Sequence, residues 1–141
     1  MRPHEETELA QLKLFDGCTD QEMEMIRSLS MVMSVPVGTE LIHQGSTARQ
    51  FVIIKSGEVS VEHDGHRIAV VGAGEIVGEI SLIEGSDAQR TARTITPTEL
   101  FVFSKPEFAS MMSRVPTVAQ RVQHAAIQHL LQIEAHHHTR H

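Results

Sequence analysis

Residues 51–71, FVIIKSGEVSVEHDGHRIAVV, set the architecture of this chain. They form three short apolar runs rich in β-branched residues, separated by Gly57 and by the pair Asp64-Gly65. An Asp-Gly pair between two alternating runs is the strongest short-range signal for a β-hairpin, because both central residues of that turn need a positive φ. The stretch therefore predicts antiparallel strands joined by tight turns.

The same texture continues on both sides of this stretch. Short apolar runs recur about every ten residues between positions 31 and 103, a spacing typical of all-β folds. Short, evenly spaced strands with glycine-rich turns favour an antiparallel roll or barrel over a parallel sheet. We predict strands at 31–37, 40–43, 51–55, 58–63, 67–71, 91–96 and 99–103.

Helical patterns precede the strand region. Leu9 and Leu12 repeat at helical spacing within residues 7–14, which predicts a first short helix. Thr19 and Glu22 then form a capping-box pattern, in which each side chain bonds to the backbone of the other residue. A second short helix is predicted to begin there.

Two further helices are predicted after the last strand. Ser104-Lys105-Pro106-Glu107 places proline near the first helical position, where its missing N–H costs nothing. Beyond Pro116 a long helix is predicted from 117 to about 135, where an amphipathic pattern indicates docking on the roll. Its apolar stripe consists of Ala119, Val122, Ala126, Leu130 and Ile133, broadened by Ile127 and Leu131. The chain is thus α+β, and mainly β.

Length, charge and cysteine content exclude several classes of protein. The 141 residues fit one domain, and the formal net charge of −6 disfavours direct binding of nucleic acid. No apolar run approaches the roughly 18 residues of a membrane-spanning helix. A single cysteine, Cys18, allows no internal disulfide framework, and residues 1–9 lack the apolar core of a secretory signal. These features predict a cytoplasmic protein.

Residues 72–92, GAGEIVGEISLIEGSDAQRTA, depart from the hairpin texture. Their glycine spacing misses the dinucleotide-binding fingerprint by one residue, and no alternating strand and helix pattern surrounds them. Gly78 instead leads into one predicted helical turn at 79–83, whose first N–H groups suit an anion. Arg90 follows at the start of the next strand, and a guanidinium can bind two phosphate oxygens at once.

Glu79 and Thr91 lie beside this predicted anion cradle. Thr91 adds a hydroxyl donor next to Arg90, whereas Glu79 would be repelled by a phosphate unless it accepts a hydrogen bond from the same ligand. A ribose hydroxyl supplies such a donor. One arginine, backbone N–H groups and one glutamate therefore match a cyclic 3′,5′-phosphodiester with its single negative charge and free 2′-hydroxyl.

These residues also carry a family resemblance. Gly78-Glu79-Ile80-Ser81-Leu82, followed by Arg90-Thr91-Ala92, resembles the phosphate-binding cassette of cyclic-nucleotide-binding domains. Segments 14–19, 38–45 and 51–59 are similar to the first helix and first hairpins of that family, in the same order. The resemblance implies an eight-stranded, jelly-roll-like antiparallel β-roll with N-terminal helices, a short phosphate-binding helix and two C-terminal helices. It assigns residues 1–135 to the domain and 136–141 to a histidine-rich tail.

The resemblance also implies a ligand and its contacts. The ligand would be a cyclic mononucleotide, cyclic AMP or cyclic GMP. Glu79 would accept from the ribose hydroxyl, Arg90 would bind the cyclic phosphate, and His129 on the C-terminal helix would lie near the base. Further backbone or hydroxyl contacts would come from Gly78, Ile80, Ser81, Thr91 and Ala92. No cofactor is implied.

The sequence predicts no enzyme. It lacks a nucleophile with a base, and its histidines match no closed zinc-site spacing. We interpret the chain as a sensor whose C-terminal helices move when the cyclic nucleotide binds. Two alternatives remain. The chain could be a regulatory module that works on a separate effector protein or belongs to a larger enzyme, channel or transporter. It could instead be a degenerate roll that binds no nucleotide and forms a homodimer through the stripe 119–133.

Overall fold

The structure is a computed structural model that describes residues 9–139, with side chains up to His136. Within that range eight strands pair antiparallel, which confirms the predicted α+β, mainly β roll. The strands are β1 (Met31–Val35), β2 (Glu40–Ile42), β3 (Gln50–Ser56), β4 (Val59–His63), β5 (His66–Val71), β6 (Ile76–Val77), β7 (Thr91–Thr94) and β8 (Thr98–Ser104). They form two four-stranded sheets, in the orders β1-β8-β3-β6 and β2-β7-β4-β5.

The hairpin predicted at Asp64-Gly65 joins β4 to β5. Asp64 has φ +53° and Gly65 has φ +79°, so both central residues adopt the left-handed conformation that this turn requires. Gln44 fixes the tip from the neighbouring loop: its side chain donates to Asp64 Oδ1 and accepts from Asp64 N, each at 2.9 Å. The turn therefore sets the register of β4 and β5.

One strand was missed by the sequence patterns, and β1, β2 and β7 end before the predicted positions 37, 43 and 96. β6 has only two residues, too few to show alternation, and it is held by pairing with Val52 and Ile53 of β3. β1 stops at Val35 instead of position 37, because Pro36 has no N–H to pair and Gly38 turns the chain at φ +85°.

Four helices and one short 3-10 turn lie within the described residues. The 3-10 turn is Lys13–Phe15, and residues 9–11 before it are helical, whereas positions 7 and 8 of the predicted first helix lie outside the described residues. The capping box predicted at Thr19 is present, and a second one, which was not predicted, forms at Ser104. The helices are α1 (Asp20–Leu29), α2 (Glu79–Glu84), α3 (Lys105–Arg114) and α4 (Pro116–Thr139). The last helix thus continues beyond 135, and positions 140 and 141 lie outside the described residues.

Strand β3 is buried on both faces and separates two apolar cores. Phe51 and Ile53 face the helices, where the Phe51 ring lies 4.8 Å from that of Phe108 between centroids. Val52 and Ile54 face the interior of the roll between the two sheets. Because alternate residues of a strand point to opposite faces, this one run closes the roll and also anchors α1, α3 and α4.

Helix α4 docks on the roll with only part of its predicted stripe. Val122, Ala126 and Ile133 are buried, and Val118, which the stripe omitted, is fully buried. Ile127 and Leu131 instead remain 55% and 52% exposed. The helix therefore has one face against the domain and a narrow apolar strip facing outward.

A single arginine ties α4 to the N-terminal segment. Arg121 Nη1 donates to the backbone oxygens of Lys13, Leu14 and Asp16 at 3.2, 3.0 and 2.6 Å. These carbonyls belong to the 3-10 turn and the residue after it, and the Lys13 oxygen also accepts from Asp16 N at 3.1 Å. The guanidinium acts as their cap.

Replacing Arg121 with alanine is expected to lower the free energy of unfolding by roughly 1–2 kcal/mol, because several charge-assisted hydrogen bonds are lost at a partly exposed site. Urea unfolding measures the loss, and hydrogen exchange should show faster opening of residues 13–16. Arg114, exposed in the last turn of α3, gives the control: Arg114→Ala should have a much smaller effect. Equal effects of the two substitutions would contradict the capping role.

Candidate functional site

Gly78 turns the chain from β6 into helix α2. It has φ +95°, and a Cβ at this position would lie 2.7 Å from the backbone oxygen of Gln50 and 3.1 Å from Ile42 Cδ1. Real Cβ atoms do not approach a backbone oxygen so closely, and the positive φ further disfavours any side chain. Glycine therefore lets α2 begin directly against the start of β3, and this places Glu79 inside the domain.

Glu79 is a completely buried carboxylate. Its Oε2 lies 2.6 Å from His129 Nδ1 and 3.9 Å from Arg90 Nη2. Its Oε1 is buried and has no hydrogen-bond partner among the described residues. A buried polar atom without a partner is costly, so this oxygen is suited to accept from a donor that a ligand brings.

Arg90 faces Glu79 from the end of the loop before β7. Its side chain is 8% exposed, and burial lowers the pKa of the guanidinium while the nearby Glu79 charge opposes that shift. An arginine remains protonated at neutral pH even when its pKa is somewhat lowered. The site therefore holds a buried positive charge directly beside a buried carboxylate.

His129 reaches the same place from helix α4. Because an ionised carboxylate can only accept, its 2.6 Å contact requires that Nδ1 carry the proton and donate to Glu79. The 3.4 Å approach of Arg90 Nη2 to that same nitrogen is then a close contact and not a second hydrogen bond. The sequence resemblance placed His129 near the base of a ligand. In the structure its imidazole is hydrogen-bonded to the Glu79 carboxylate at the centre of the site.

Most of the predicted ligand contacts line one small cavity. Gly78, Ile80, Ser81, Arg90 and Ala92 surround a cavity of about 20 Å³. That volume holds one or two water molecules and is far smaller than a mononucleotide. Neighbouring it is a wider cavity of about 340 Å³, which Gly78 and Ser81 also line, together with residues 40–43 and 46–50.

Thr91 lies differently from its predicted neighbours. Its side chain is buried toward the loop after β2, where the hydroxyl oxygen accepts from Gln44 N at 3.0 Å. Residues 90 and 92 line the small cavity and Thr91 does not, as expected when alternate strand residues face opposite ways. The Thr91 hydroxyl still has one proton to donate. Its ligand contact stays a prediction.

Sequence reasoning missed the apolar and loop residues that complete the cavity. Ile42, Val61, Val77, Ala88 and Gln89 also line it. They carry no chemical signal, since each is an ordinary strand or loop residue in the sequence. The loop that supplies Ala88 and Gln89 is held by backbone bonds, from Gly45 N to Ala88 O and from Ala88 N to Ser46 O at 2.8 and 2.9 Å.

Arg93 and Glu75 have structural roles outside the buried site. Arg93 is 40% exposed and pairs with Glu40 at 2.8 Å and with Glu62 at 3.5 Å on the outer face of the sheet. Glu75 accepts from Gly72 N at 2.8 Å within the turn before β6. Neither side chain belongs to the buried site.

The described residues contain neither a cluster of metal ligands nor a helix that could span a membrane. Across residues 9–139 no three histidine, cysteine, aspartate or glutamate side chains lie close enough together to hold a metal ion. Over the same range no helix has both the length and the apolar character needed to cross a membrane. The cytoplasmic location stays a prediction.

Comparison with known proteins places this arrangement in a family. A family model described as "Cyclic nucleotide-binding domain" matches residues 32–115, more than half of the chain. The cyclic AMP receptor protein of Thermus thermophilus is 26% identical over 114 residues, covering 77% of this chain and 53% of that protein. The acetyltransferase Pat of Mycolicibacterium smegmatis is 37% identical over 92 residues, covering 62% of this chain and 27% of that protein.

Solved structures show the same fold. The catabolite activator protein of Thermus thermophilus superposes with a TM-score of 0.74 at 24% identity, over 87% of this chain and 60% of that one. The regulatory domain of Toxoplasma gondii PKA, crystallised with cAMP, gives a TM-score of 0.76 at 16% identity, over 86% and 48%. This chain spans about half, or less, of the length of the curated relatives described above. It belongs to the cyclic nucleotide-binding domain family.

Proposed function

We propose that the chain binds cyclic AMP or cyclic GMP between Glu79 and Arg90 and that it acts as a sensor, not an enzyme. The observation that carries the proposal is the completely buried Glu79, whose Oε1 has no partner among the described residues, beside the buried Arg90. Without a ligand role, a scaffold would gain little from burying this pair, since a well-packed apolar pair is often at least as stable.

The two charges fit complementary parts of one ligand. The Arg90 guanidinium offers parallel N–H donors to the singly charged cyclic phosphate, and Glu79 accepts from the ribose 2′-hydroxyl. Further contacts are proposed for the cavity-lining residues Gly78, Ile80, Ser81 and Ala92, with Thr91 supplying its hydroxyl and His129 lying near the base. No bond is made or broken in the ligand.

Helix α4 would transmit the binding event. Ala126 and Ile133 of α4 pack with Ile80 of α2, directly beside the site. Because the small cavity cannot admit a mononucleotide, the residues that line it, which include Ile80 of α2, have to shift when the ligand enters, and α4 would shift with α2. A ligand moves such an equilibrium only through contacts that differ between the two arrangements, and the α2 to α4 contact supplies that difference.

The partner that receives the signal is a further proposal. Relatives of this chain include a receptor, an acetyltransferase and a cyclic nucleotide-gated potassium channel of Rhizobium etli, each longer than the matched domain. A regulatory role toward an effector protein, separate or in the same polypeptide, is consistent with this range. The homodimer through residues 119–133 stays a prediction. Within that stripe two large apolar residues, Ile127 and Leu131, are each more than half exposed.

The proposal is tested by calorimetric titration of the folded protein with cyclic AMP, cyclic GMP and linear AMP. We expect binding of at least one cyclic nucleotide and much weaker binding of linear AMP, whose phosphate carries more charge and is not held in a ring. Absence of binding to either cyclic nucleotide, in protein shown to be folded and free of carried-over ligand, would leave the family fold without that ligand and would favour the scaffold.

The Glu79 contact gives a sharper prediction. In the wild type, 2′-deoxy cyclic AMP should bind roughly 10- to 150-fold more weakly than cyclic AMP, which is the range for a hydrogen bond to a charged group. In Glu79→Ala the two ligands should bind almost equally, because the acceptor for the hydroxyl is gone and the two changes are not additive. Calorimetry on both ligands with both proteins measures this cycle.

Glu84 provides the matched control, since it is an exposed glutamate at the other end of the same helix. Glu84→Ala should keep the wild-type preference for the 2′-hydroxyl. If Glu79→Ala also keeps it, Glu79 does not accept from the ribose.

A further inference from the structure

We infer that His129 latches helix α4 over the site and is an internal competitor of the cyclic nucleotide. The inference rests on the proposed function and adds a regulatory contact to it. Its basis is the position of one atom: Nδ1 of His129 lies 2.6 Å from Glu79 Oε2 and 3.4 Å from Arg90 Nη2.

This position coincides with the space that the ligand needs. In the proposed complex the ribose hydroxyl donates to Glu79, and the phosphate accepts from Arg90. Such a ligand must place its sugar and phosphate between those two side chains. An atom within contact distance of both already lies in that space. The imidazole and the sugar phosphate therefore cannot occupy their positions together while Glu79 and Arg90 stay as they are.

The contact is built into the packing of α4 and is not a chance approach of a mobile side chain. His129 is only 14% exposed, and it is flanked on α4 by the buried Ala126 and Ile133. Those two residues pack with Ile80, which follows Glu79 directly in α2. Polar and apolar contacts thus hold the same two helices together, and Ile80 and Ser81 of α2 line the neighbouring cavity of about 20 Å³.

The His129 latch is expected to lower the apparent affinity for the cyclic nucleotide. When a protein is mostly in an arrangement that excludes the ligand, the apparent affinity falls by the fraction of molecules in the open arrangement. Removing the His129 hydrogen bond should raise that fraction. A buried hydrogen bond to a charged group is commonly worth about a factor of ten or more in such an equilibrium.

The test compares four forms of the 141-residue chain by calorimetry with cyclic AMP and cyclic GMP: wild type, His129→Ala, His129→Asn and His124→Ala. We expect His129→Ala to bind roughly tenfold more tightly than the wild type, by the same population arithmetic. His129→Asn should lie near the wild type, because the asparagine amide places a donor close to where Nδ1 stands. His124 is an exposed histidine on the same helix, so His124→Ala should behave as the wild type.

A second measurement needs no nucleotide. Hydrogen exchange over residues 126–136 should be faster in His129→Ala than in the wild type and His124→Ala, because α4 loses its polar anchor to α2. Unchanged exchange would overturn the latch even if no cyclic nucleotide binds to any variant, a result that would separately refute the proposed function. Weaker binding by His129→Ala, with binding by the wild type intact, would show that His129 favours binding more through a contact near the base than it opposes binding through Glu79, and would overturn the competitor role.

Discussion

Arg90→Ala is expected to lower the affinity for a cyclic nucleotide by on the order of 2–5 kcal/mol, the usual loss when one member of a buried charge pair is removed at an interface. This corresponds to roughly thirtyfold to several thousandfold in the dissociation constant. The reason is that the phosphate charge would enter a buried site with no cation to face, while Glu79 would remain there as an unopposed negative charge. Calorimetric titration of the folded variant measures the loss.

The matched control for Arg90 lies three residues further along the chain. Arg93 pairs with Glu40 and Glu62 on the outer face of the sheet and is 40% exposed, so Arg93→Ala should change the ligand affinity little. Its cost in stability should also be small, about 1 kcal/mol or less, as for other exposed ion pairs. Arg90→Lys keeps the charge but loses the planar fork, and should fall between the wild type and Arg90→Ala. Wild-type affinity in folded Arg90→Ala would refute the phosphate assignment.

The roll was predictable from the sequence because its turns are encoded locally. The Asp64-Gly65 pair, Gly38, Gly45 and Gly57 lie between the apolar runs, and these positions do adopt positive φ in the structure. Ile76–Val77 could not be recognised in this way, since a two-residue strand has no periodicity and exists only because β3 offers it a partner. Its position nevertheless matters, because it delivers Gly78 and Glu79 to the site.

The site was predictable in composition but not in arrangement. The motif around Gly78-Glu79 and Arg90 identified the two charged groups, and the structure brings them to 3.9 Å. The orientation of Thr91 away from the small cavity could have been predicted from the sequence. Alternate strand residues face opposite ways, so Thr91 cannot face the small cavity together with Arg90 and Ala92. The bond from His129 to Glu79 could not have been predicted, because it depends on how α4, fifty residues further along, is rotated and placed on α2.

These cases differ in how far along the chain the contacts lie that determine the position of each residue. A turn residue is fixed by its own backbone conformation and a cap by a residue three positions away, so a local pattern is sufficient. His129 is fixed by packing at Ala126 and Ile133, whose apolar character predicts that they are buried but not what they contact. The contact that we propose regulates binding, between His129 and Glu79, therefore could be found only from the structure.

Gly78→Ala is expected to be among the most damaging single-methyl additions in this chain. The positive φ at Gly78 costs an alanine about 1–2 kcal/mol. Its Cβ would also lie 2.7 Å from the backbone oxygen of Gln50, and relieving such overpacking costs a further 1–3 kcal/mol or so. The total, roughly 2–5 kcal/mol, is a large part of the stability of an ordinary domain, and urea unfolding measures it.

Gly85 separates the two causes, because it ends the same helix with φ +69° and a Cβ there would meet nothing within 4 Å. Gly85→Ala therefore carries only the conformational cost, about 1 kcal/mol or less once the stiffer unfolded chain is counted. Relief of the clash at position 78 must push α2 away from β3, and Glu79 begins that helix, so Gly78→Ala should weaken cyclic nucleotide binding as well, whereas Gly85→Ala should not. Equal losses of stability in the two variants would mean that β3 shifts at Gln50 at no cost in free energy. The close approach of Gly78 to Gln50 would then not be what positions Glu79.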